Sequence, residues 1–273
     1  MQKKMKSDYK ALLITEDNGT YNKKVVTLST GDLPKNDLLV KVKYSSVNYK
    51  DALSSSGNKG VTKKYPHIPG IDAVGTVVES VSDKFPVGSE VLVTGYDLGM
   101  NTWGGFGEYI SIPQSWAILL PEGLSPKEAM CFGTAGLTAA LSINYLIGSG
   151  ILPDSGNIVV SGATGGVGSI AVSILAKLGY GVIAVSGKAE HSFLTETLGS
   201  KEVITRNEFI ESYNKKPLAK PLFAGAIDTV GGEILSGMLK ACQYEGVVTC
   251  CGMVASAELN TSIFPFILRG VRL

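Results

Sequence analysis

Hydrophobic positions change their spacing along the chain, and the change divides it in two. From about Lys10 to Leu120 the apolar residues come in short runs, ALLI, DLLVKVKYSSVN, AVGTVVESV, SEVLVTGY and GEYISIP, many of them β-branched. Gly, Pro, Asn and Asp separate the runs, as at Asp32–Pro34 and Pro86–Gly88, the punctuation of strands joined by turns. LLVKVKYSSV alternates as a half-buried strand does. At Ser125 the period changes. Ser125-Pro126-Lys127-Glu128 reads as a capping box with proline at the first helical position, and a long apolar helical pattern follows. The Pro121–Ser125 stretch is therefore the predicted boundary, separating a β-rich domain over 1–124 from a second domain over 125–273.

After Asp154 strand and helix patterns alternate: IVVSG, a helix to Leu178, VIAVSG, a short segment near Val203–Ile204, AIDTV, a helix near Leu235–Cys242, and GVVTCCG. Strands alternating with helices of this length imply right-handed crossovers and a parallel sheet. The fold class expected is α/β, a Rossmann-type nucleotide-binding sheet plus the β-rich domain.

The sharpest motif lies in that second half. The apolar strand Ile158–Val160 runs through Ser161 into Gly162-Ala163-Thr164-Gly165-Gly166-Val167-Gly168, with glycines at 162, 165 and 168. A helix pattern follows, its apolar stripe formed by Val167, Ile170, Ala171, Ile174, Leu175 and Leu178 and ended by Gly179. Glycines spaced in this way let a backbone turn tightly, approach a pyrophosphate and pack helix on strand, while the helix N-terminus offers N–H groups to phosphate. The second strand ends in Ser186-Gly187-Lys188, and the first acid, Glu190, comes only after the turn. An acid at this strand end suits the ribose hydroxyl of NAD, whereas a base suits a 2′-phosphate. NADPH is therefore expected over NADH, with Arg206 as a second cation or else a solvated surface charge. Val230 and Gly252, each just after a later strand, either line the cofactor pocket or serve as chain-reversing turns.

Composition excludes several classes. Hydrophobic residues make up 44% and charged ones 18%, and 25 basic against 24 acidic residues leave a net charge of +1. There is no field to gather nucleic acid or an anionic membrane. The basic start MQKKMKSDYK has no apolar segment after it, so a signal peptide is not expected, and no uncharged apolar run looks long enough to span a membrane. Cys131, Cys242, Cys250 and Cys251 read as small buried hydrophobes of a reducing cytosol. With only His67 and His191 and no earlier cysteine, the first half cannot assemble a Cys/His zinc site. No metal is expected.

Several segments together resemble one family. Pro69-Gly70-Ile71-Asp72-Ala73-Val74-Gly75-Thr76-Val77, Trp103-Gly104-Gly105-Phe106-Gly107-Glu108-Tyr109, Gly133-Thr134-Ala135-Gly136 and GATGGVG occur in the order used by medium-chain dehydrogenases/reductases. Asn48-Tyr49-Lys50-Asp51, Asp228-Thr229-Val230-Gly231 and Phe266-Ile267-Leu268-Arg269 are similar to the zinc-independent quinone-oxidoreductase-like branch, which contains the NADPH-dependent acrylyl-CoA reductases. Zinc-containing members carry His-Glu where this sequence has Ile71-Asp72. The resemblance implies a GroES-like catalytic first domain, and cofactor contacts at Tyr49, Thr134, Gly162, Ala163, Thr164, Gly165, Gly166, Val167, Ser186, Lys188, Arg206, Val230, Gly252 and Ile267. It also implies a homodimer in the cytoplasm and several tens of further residues, so a truncated sequence is expected in preference to a degenerate member of the family.

The reaction implied is hydride transfer to the β-carbon of a conjugated thioester or ketone, then protonation at the α-carbon. Tyr49 is the expected proton donor, since a phenol hydroxyl can donate; cofactor or substrate binding is an equal role for it. Asn48 is a second candidate, or simply the N-cap of a helix, with Asp51 fixing that helix. His67 reads as a loop anchor. Trp103 and Phe106 wall a substrate site or pack internally, and Lys59, Lys63 and Lys64 meet coenzyme A phosphates or stand solvated. The substrate expected is acrylyl-CoA or a short enoyl-CoA. A quinone is the alternative, and a non-catalytic NADPH sensor the rival of another class.

Overall fold

The computed structural model describes residues 7–188 and 191–273; the basic start Met1–Lys6 and Glu190, both named above, lie outside the described residues. The chain divides into two compact units, Met1–Thr134 and Ala135–Leu273.

The first unit begins with a hairpin, β1 (Asp8–Asp17) and β2 (Thr20–Ser29), paired antiparallel from Asp8↔Ser29 to Asp17↔Thr20. Asn18 and Gly19 close it with φ of 48° and 80°, the positive dihedrals that make Asn-Gly the favoured two-residue turn. β3 (Leu38–Tyr44), helix α1 (Tyr49–Ser55), β4 (Asp72–Ser80), β5 (Glu90–Thr94), β6 (Tyr109–Ile112) and β7 (Ile118–Leu119) follow. Their antiparallel sheet runs in the order β6-β3-β4-β5-β7. Alternate residues of these strands supply its core, with Leu38, Val40, Val77, Val91, Val93, Ile110 and Ile112 all at or below 1% exposure, as period-two side-chain placement requires.

Helix α2 (Pro126–Gly148) opens as its sequence predicts: Glu128 N–H donates to Ser125 Oγ at 3.3 Å and Ser125 N–H to Glu128 Oε2 at 2.9 Å. The helix is broken at Gly133, where φ is 49° and ψ −151°, so the division between the units falls inside it. Contrary to the expectation from composition, this one described helix is long and apolar enough by length and composition to cross a membrane. The break leaves 134–148 as its unbroken part, about 22 Å long against a hydrocarbon core of ~30 Å.

The second unit continues with β8 (Ile158–Ser161), α3 (Gly166–Lys177), β9 (Val182–Ser186), β10 (Glu202–Thr205), α4 (Arg206–Tyr213), β11 (Phe223–Asp228), α5 (Gly232–Ala241), β12 (Cys242–Cys250) and α6 (Phe264–Arg269). The sheet is parallel and ordered β10-β9-β8-β11-β12. β8, β9 and β11 are buried along their whole length, which is why they read as continuous apolar runs rather than alternations. One buried cluster packs Ala171, Val172 and Leu175 of α3 with Val160, Ala184 and Leu146. The other packs Ile234, Met238 and Leu239 of α5 with Val159, Ala226 and Val248. The sheet is thus covered on both faces. Beyond β12, Val247 makes a parallel bridge to Arg272.

Candidate active site

The connection order matters more than the strand count. From β8 the chain builds outward to β9 and β10 and then returns to place β11 on the other side of β8, so the carboxyl ends of β8 and β11 form a switch point where open α/β sheets bind ligands. At that point Gly162 takes φ 57°, and a Cβ there would collide with Thr229 Oγ1. Gly165 N–H closes the turn on the Gly162 carbonyl at 2.8 Å, and Gly165 is the N-cap of α3. A Cβ on Gly168 would run into the Gly162 carbonyl oxygen, so the close seating of α3 on β8 needs glycine there. Gly165 and Gly166 stay exposed, with the first N–H groups of α3 beside them, a ready anion site.

Asp228 locks the two strand ends together. Its buried carboxylate accepts from Ser161 Oγ at 2.7 Å, Val230 N–H at 3.2 Å and Gly231 N–H at 2.8 Å. Thr229 N–H and its hydroxyl donate back to Ser161, each at 2.9 Å. Gly252 is confined by the Thr229 carbonyl, which its Cβ would strike. Val230 is 2% exposed, and its N–H is held within this network.

The end of β9 carries the third feature. Ser186 is buried, its Oγ accepting Lys188 N–H at 3.0 Å. β10 runs alongside with Thr205 opposite Ser186, and α4 starts at the next residue. That register puts the Arg206 guanidinium over Gly187, with Nη2 3.4 Å and Cζ 3.6 Å from where a Cβ would stand. Ser186, Lys188 and Arg206 therefore meet at one strand end, with Lys188 and Arg206 both exposed.

In the first unit a polar cluster gathers at the start of α1. Asp51, 1% exposed, accepts Gly70 N–H and Ile71 N–H on Oδ1 at 3.0 Å each, and Asn48 N–H on Oδ2 at 2.7 Å. Burial pushes its carboxyl up; the three N–H groups oppose this and the nearby Asp72 adds to it. Asp72 accepts Asn48 Nδ2 at 2.8 Å, Thr134 N–H at 2.9 Å and the Thr134 hydroxyl at 2.6 Å. Tyr49, the first residue of α1, is 59% exposed.

Two family models match this chain, the alcohol dehydrogenase GroES-like domain over residues 34–122 and the zinc-binding dehydrogenase model over 166–273. YhfP of Bacillus subtilis, which carries a quinone-oxidoreductase name, is 45% identical over 98% of this chain and 81% of its own. Acrylyl-CoA reductase AcuI of Ruegeria pomeroyi is 40% identical over 97% of this chain and 81% of its own. The crystal structure of E. coli YhdH with bound NADPH superposes with TM-score 0.92 at 44% identity, covering 96% of this chain and 80% of that one. That of B. subtilis YhfP with NAD bound also gives 0.92, at 45% identity over 98% and 81%. The chain belongs to the quinone-oxidoreductase-like branch of the medium-chain dehydrogenases/reductases.

Within this branch the remaining candidates sort by what they touch. The described residues contain no group of three or more His, Cys, Asp or Glu able to hold a metal ion. His67, 1% exposed, exchanges backbone hydrogen bonds with Ile14 at 2.9 and 2.8 Å, a loop anchor. Trp103 and Phe106 pack on the Tyr9–Ala11–Leu33–Ile68 cluster. Lys59 pairs with Glu16 at 2.6 Å, while Lys63 and Lys64 are exposed. Ile267 is 63% exposed on α6, whereas its neighbour Arg269 turns inward to the carbonyls of Lys240, Cys242 and Ala219. The cysteines correct an expectation: only Cys242 is buried. Cys250 and Cys251 come at the open carboxyl edge of the sheet rather than in its core. Both thiols reach Asp228, Cys250 to Oδ2 at 3.6 Å and Cys251 to its carbonyl at 3.3 Å; although Cys251 is exposed as a residue, its sulfur is partly withdrawn from water, and this desolvation with the Asp228 charge lifts its thiol to about 11.

Proposed function

We propose that this chain is a zinc-independent, NADPH-dependent reductase of activated carbon–carbon double bonds, with acrylyl-CoA or a similar short enoyl-CoA as substrate. The observation that carries the reading is the pairing of Arg206 with the Ser186-Gly187-Lys188 strand end, two cationic side chains where NAD sites usually place an acid. The names of the relatives and the NADPH in the E. coli structure support it.

Gly162, Ala163, Thr164, Gly165, Gly166 and Val167 would hold the pyrophosphate on the α3 N-terminus. Ser186, Lys188 and Arg206 would hold the 2′-phosphate, and Val230, Gly252, Ile267, Thr134 and Tyr49 the remainder. NADPH, when bound, supplies the hydride that adds to the β-carbon. Tyr49 donates the proton that the α-carbon takes, and Asn48, tied to Asp51 and Asp72, sets where α1 begins and so where Tyr49 stands. The 1–124 and 125–273 domain roles, the homodimer and the cytoplasmic location belong to this reading and rest on the family resemblance. Quinone reduction is the second reading, favoured by the name of the B. subtilis relative.

The cofactor assignment is tested by Lys188→Ala and Arg206→Ala. Each should weaken NADPH binding about tenfold, the scale of one charge-assisted contact, and leave NADH binding unchanged. Equal losses for both cofactors would remove the 2′-phosphate assignment.

A further inference from the structure

One end of the antiparallel sheet in the first unit gathers more than the polar cluster around α1. There β3 ends at Tyr44 opposite Val74, β4 opens at Asp72 opposite Thr94, and β5 ends. Tyr49, which opens α1 after β3, and Tyr96, two residues beyond β5, therefore stand at the same end. A short chain of bonds joins their segments: Gly95 N–H donates to the Ile71 carbonyl at 3.2 Å, and Ile71 N–H donates to Asp51 of α1 at 3.0 Å.

The Tyr96 ring lies on Trp116, with centroids 5.3 Å apart and planes at 6°. Trp116 packs against the sheet core while Tyr96 is 59% exposed, so the stack is anchored on one side and open to water on the other. The chain bends at Tyr96 with φ 54°, and its hydroxyl donates to the Ser115 carbonyl at 3.3 Å. The ring is thus fixed before any ligand arrives, which lowers the cost of binding. The loop that follows closes on Asp97, whose carbonyl accepts Asn101 N–H and Thr102 N–H at 3.4 and 3.2 Å. Asn101 Oδ1 accepts Lys63 N–H at 3.2 Å, which staples the exposed Lys63 and Lys64 beside that loop. Among the described residues neither ammonium pairs with a carboxylate.

We propose that Tyr96, stacked on Trp116, is the platform for the adenine of a coenzyme A thioester, and that Lys63 and Lys64 take its phosphates. The inference rests on the enoyl-CoA reading above and names where the handle of that substrate is held. An acrylyl group is too small to use a stacking surface, and adenine is the one aromatic group the thioester carries. Every base has a face that stacks on an aromatic ring. An ammonium meets phosphate as a point charge on a flexible stem, which suits two lysines projecting from a loop. Binding energy gained on this remote handle serves to hold the acyl end in place.

The test compares steady-state reduction by NADPH of acrylyl-CoA and of acrylyl-pantetheine, the same thioester without adenosine or phosphates. Tyr96→Ala should raise the KM for acrylyl-CoA about tenfold, the scale of one stacked base, with the KM for acrylyl-pantetheine within about twofold of wild type. Tyr96→Phe keeps the ring and should keep both KM values within about twofold. The Lys63→Ala/Lys64→Ala pair should raise the acrylyl-CoA KM about tenfold at low salt and lose most of that effect near ~1 M salt, where exposed charges are screened. An unchanged acrylyl-CoA KM in Tyr96→Ala or in the lysine pair overturns the inference, and so does an equal rise for the two thioesters. A raised KM for a small quinone in Tyr96→Ala, with that for acrylyl-CoA unchanged, gives the platform to the other acceptor and also overturns it. Equal wild-type KM values for the two thioesters sink this inference alone, whereas a wild type that reduces neither sinks the enoyl-CoA reading with it.

Discussion

His67 shows how a single buried residue makes stability depend on pH. Burial holds its imidazole below the ordinary histidine value, with the Gly99 carbonyl and the Asp97 charge pulling the other way. Native His67 is therefore neutral where the unfolded chain already takes up a proton, so its stabilising effect is present above the unfolded value and lost as pH falls through the folded one. Between about pH 7 and about pH 5 the urea midpoint of the wild type should fall further than that of His67→Gln; equal falls would contradict it. Lys188 and Arg206 were legible as a pair because strand order alone brings the ends of β9 and β10 side by side. Asp72 was not legible as an organising residue. The sequence marks it only by what it replaces, and its partners Asn48 and Thr134 lie 24 and 62 positions away, with no periodicity joining them. The exposure of Cys250 and Cys251 escaped for a similar reason, since it depends on where β12 ends rather than on what cysteine prefers.

β8, β9 and β11 follow their sequence closely because each is buried on both faces, and α3 does so because it carries an apolar stripe, signals that survive without tertiary information. α2 does not, since its apolar pattern runs unbroken through a glycine whose dihedrals only the fold reveals. β2 alternates poorly, and Asn18-Gly19 is the signal that announces it. Glycine positions allow a paired test. Gly168→Ala drives a Cβ into the Gly162 carbonyl, and should cost about 1–3 kcal/mol in denaturant unfolding by overpacking together with more than about tenfold in NADPH affinity. Gly148→Ala meets nothing within 4 Å at the end of α2, and should leave NADPH affinity unchanged while stability holds or rises by up to ~1 kcal/mol. Were both variants to behave alike, the close seating of α3 on β8 would not be what the nucleotide loop requires.

At the scale of the whole molecule, an antiparallel unit with a buried polar cluster and a parallel unit with a glycine-paved switch point each carry part of the proposed chemistry. Membership of the branch fixes the class of reaction, and the chain's own residues narrow it. The first unit holds three fixed donors on Asp72 and an exposed Tyr49; the second holds the cations at the end of β9. The most direct test follows loss of reduced-nicotinamide absorbance with acrylyl-CoA and, separately, with a small quinone, using NADPH and then NADH. Turnover of the thioester with NADPH and little with NADH is the expected result. Turnover of quinone alone would contradict the substrate assignment, and NADPH binding without oxidation by either acceptor would contradict the enzymatic reading and leave a cofactor-sensing protein in its place.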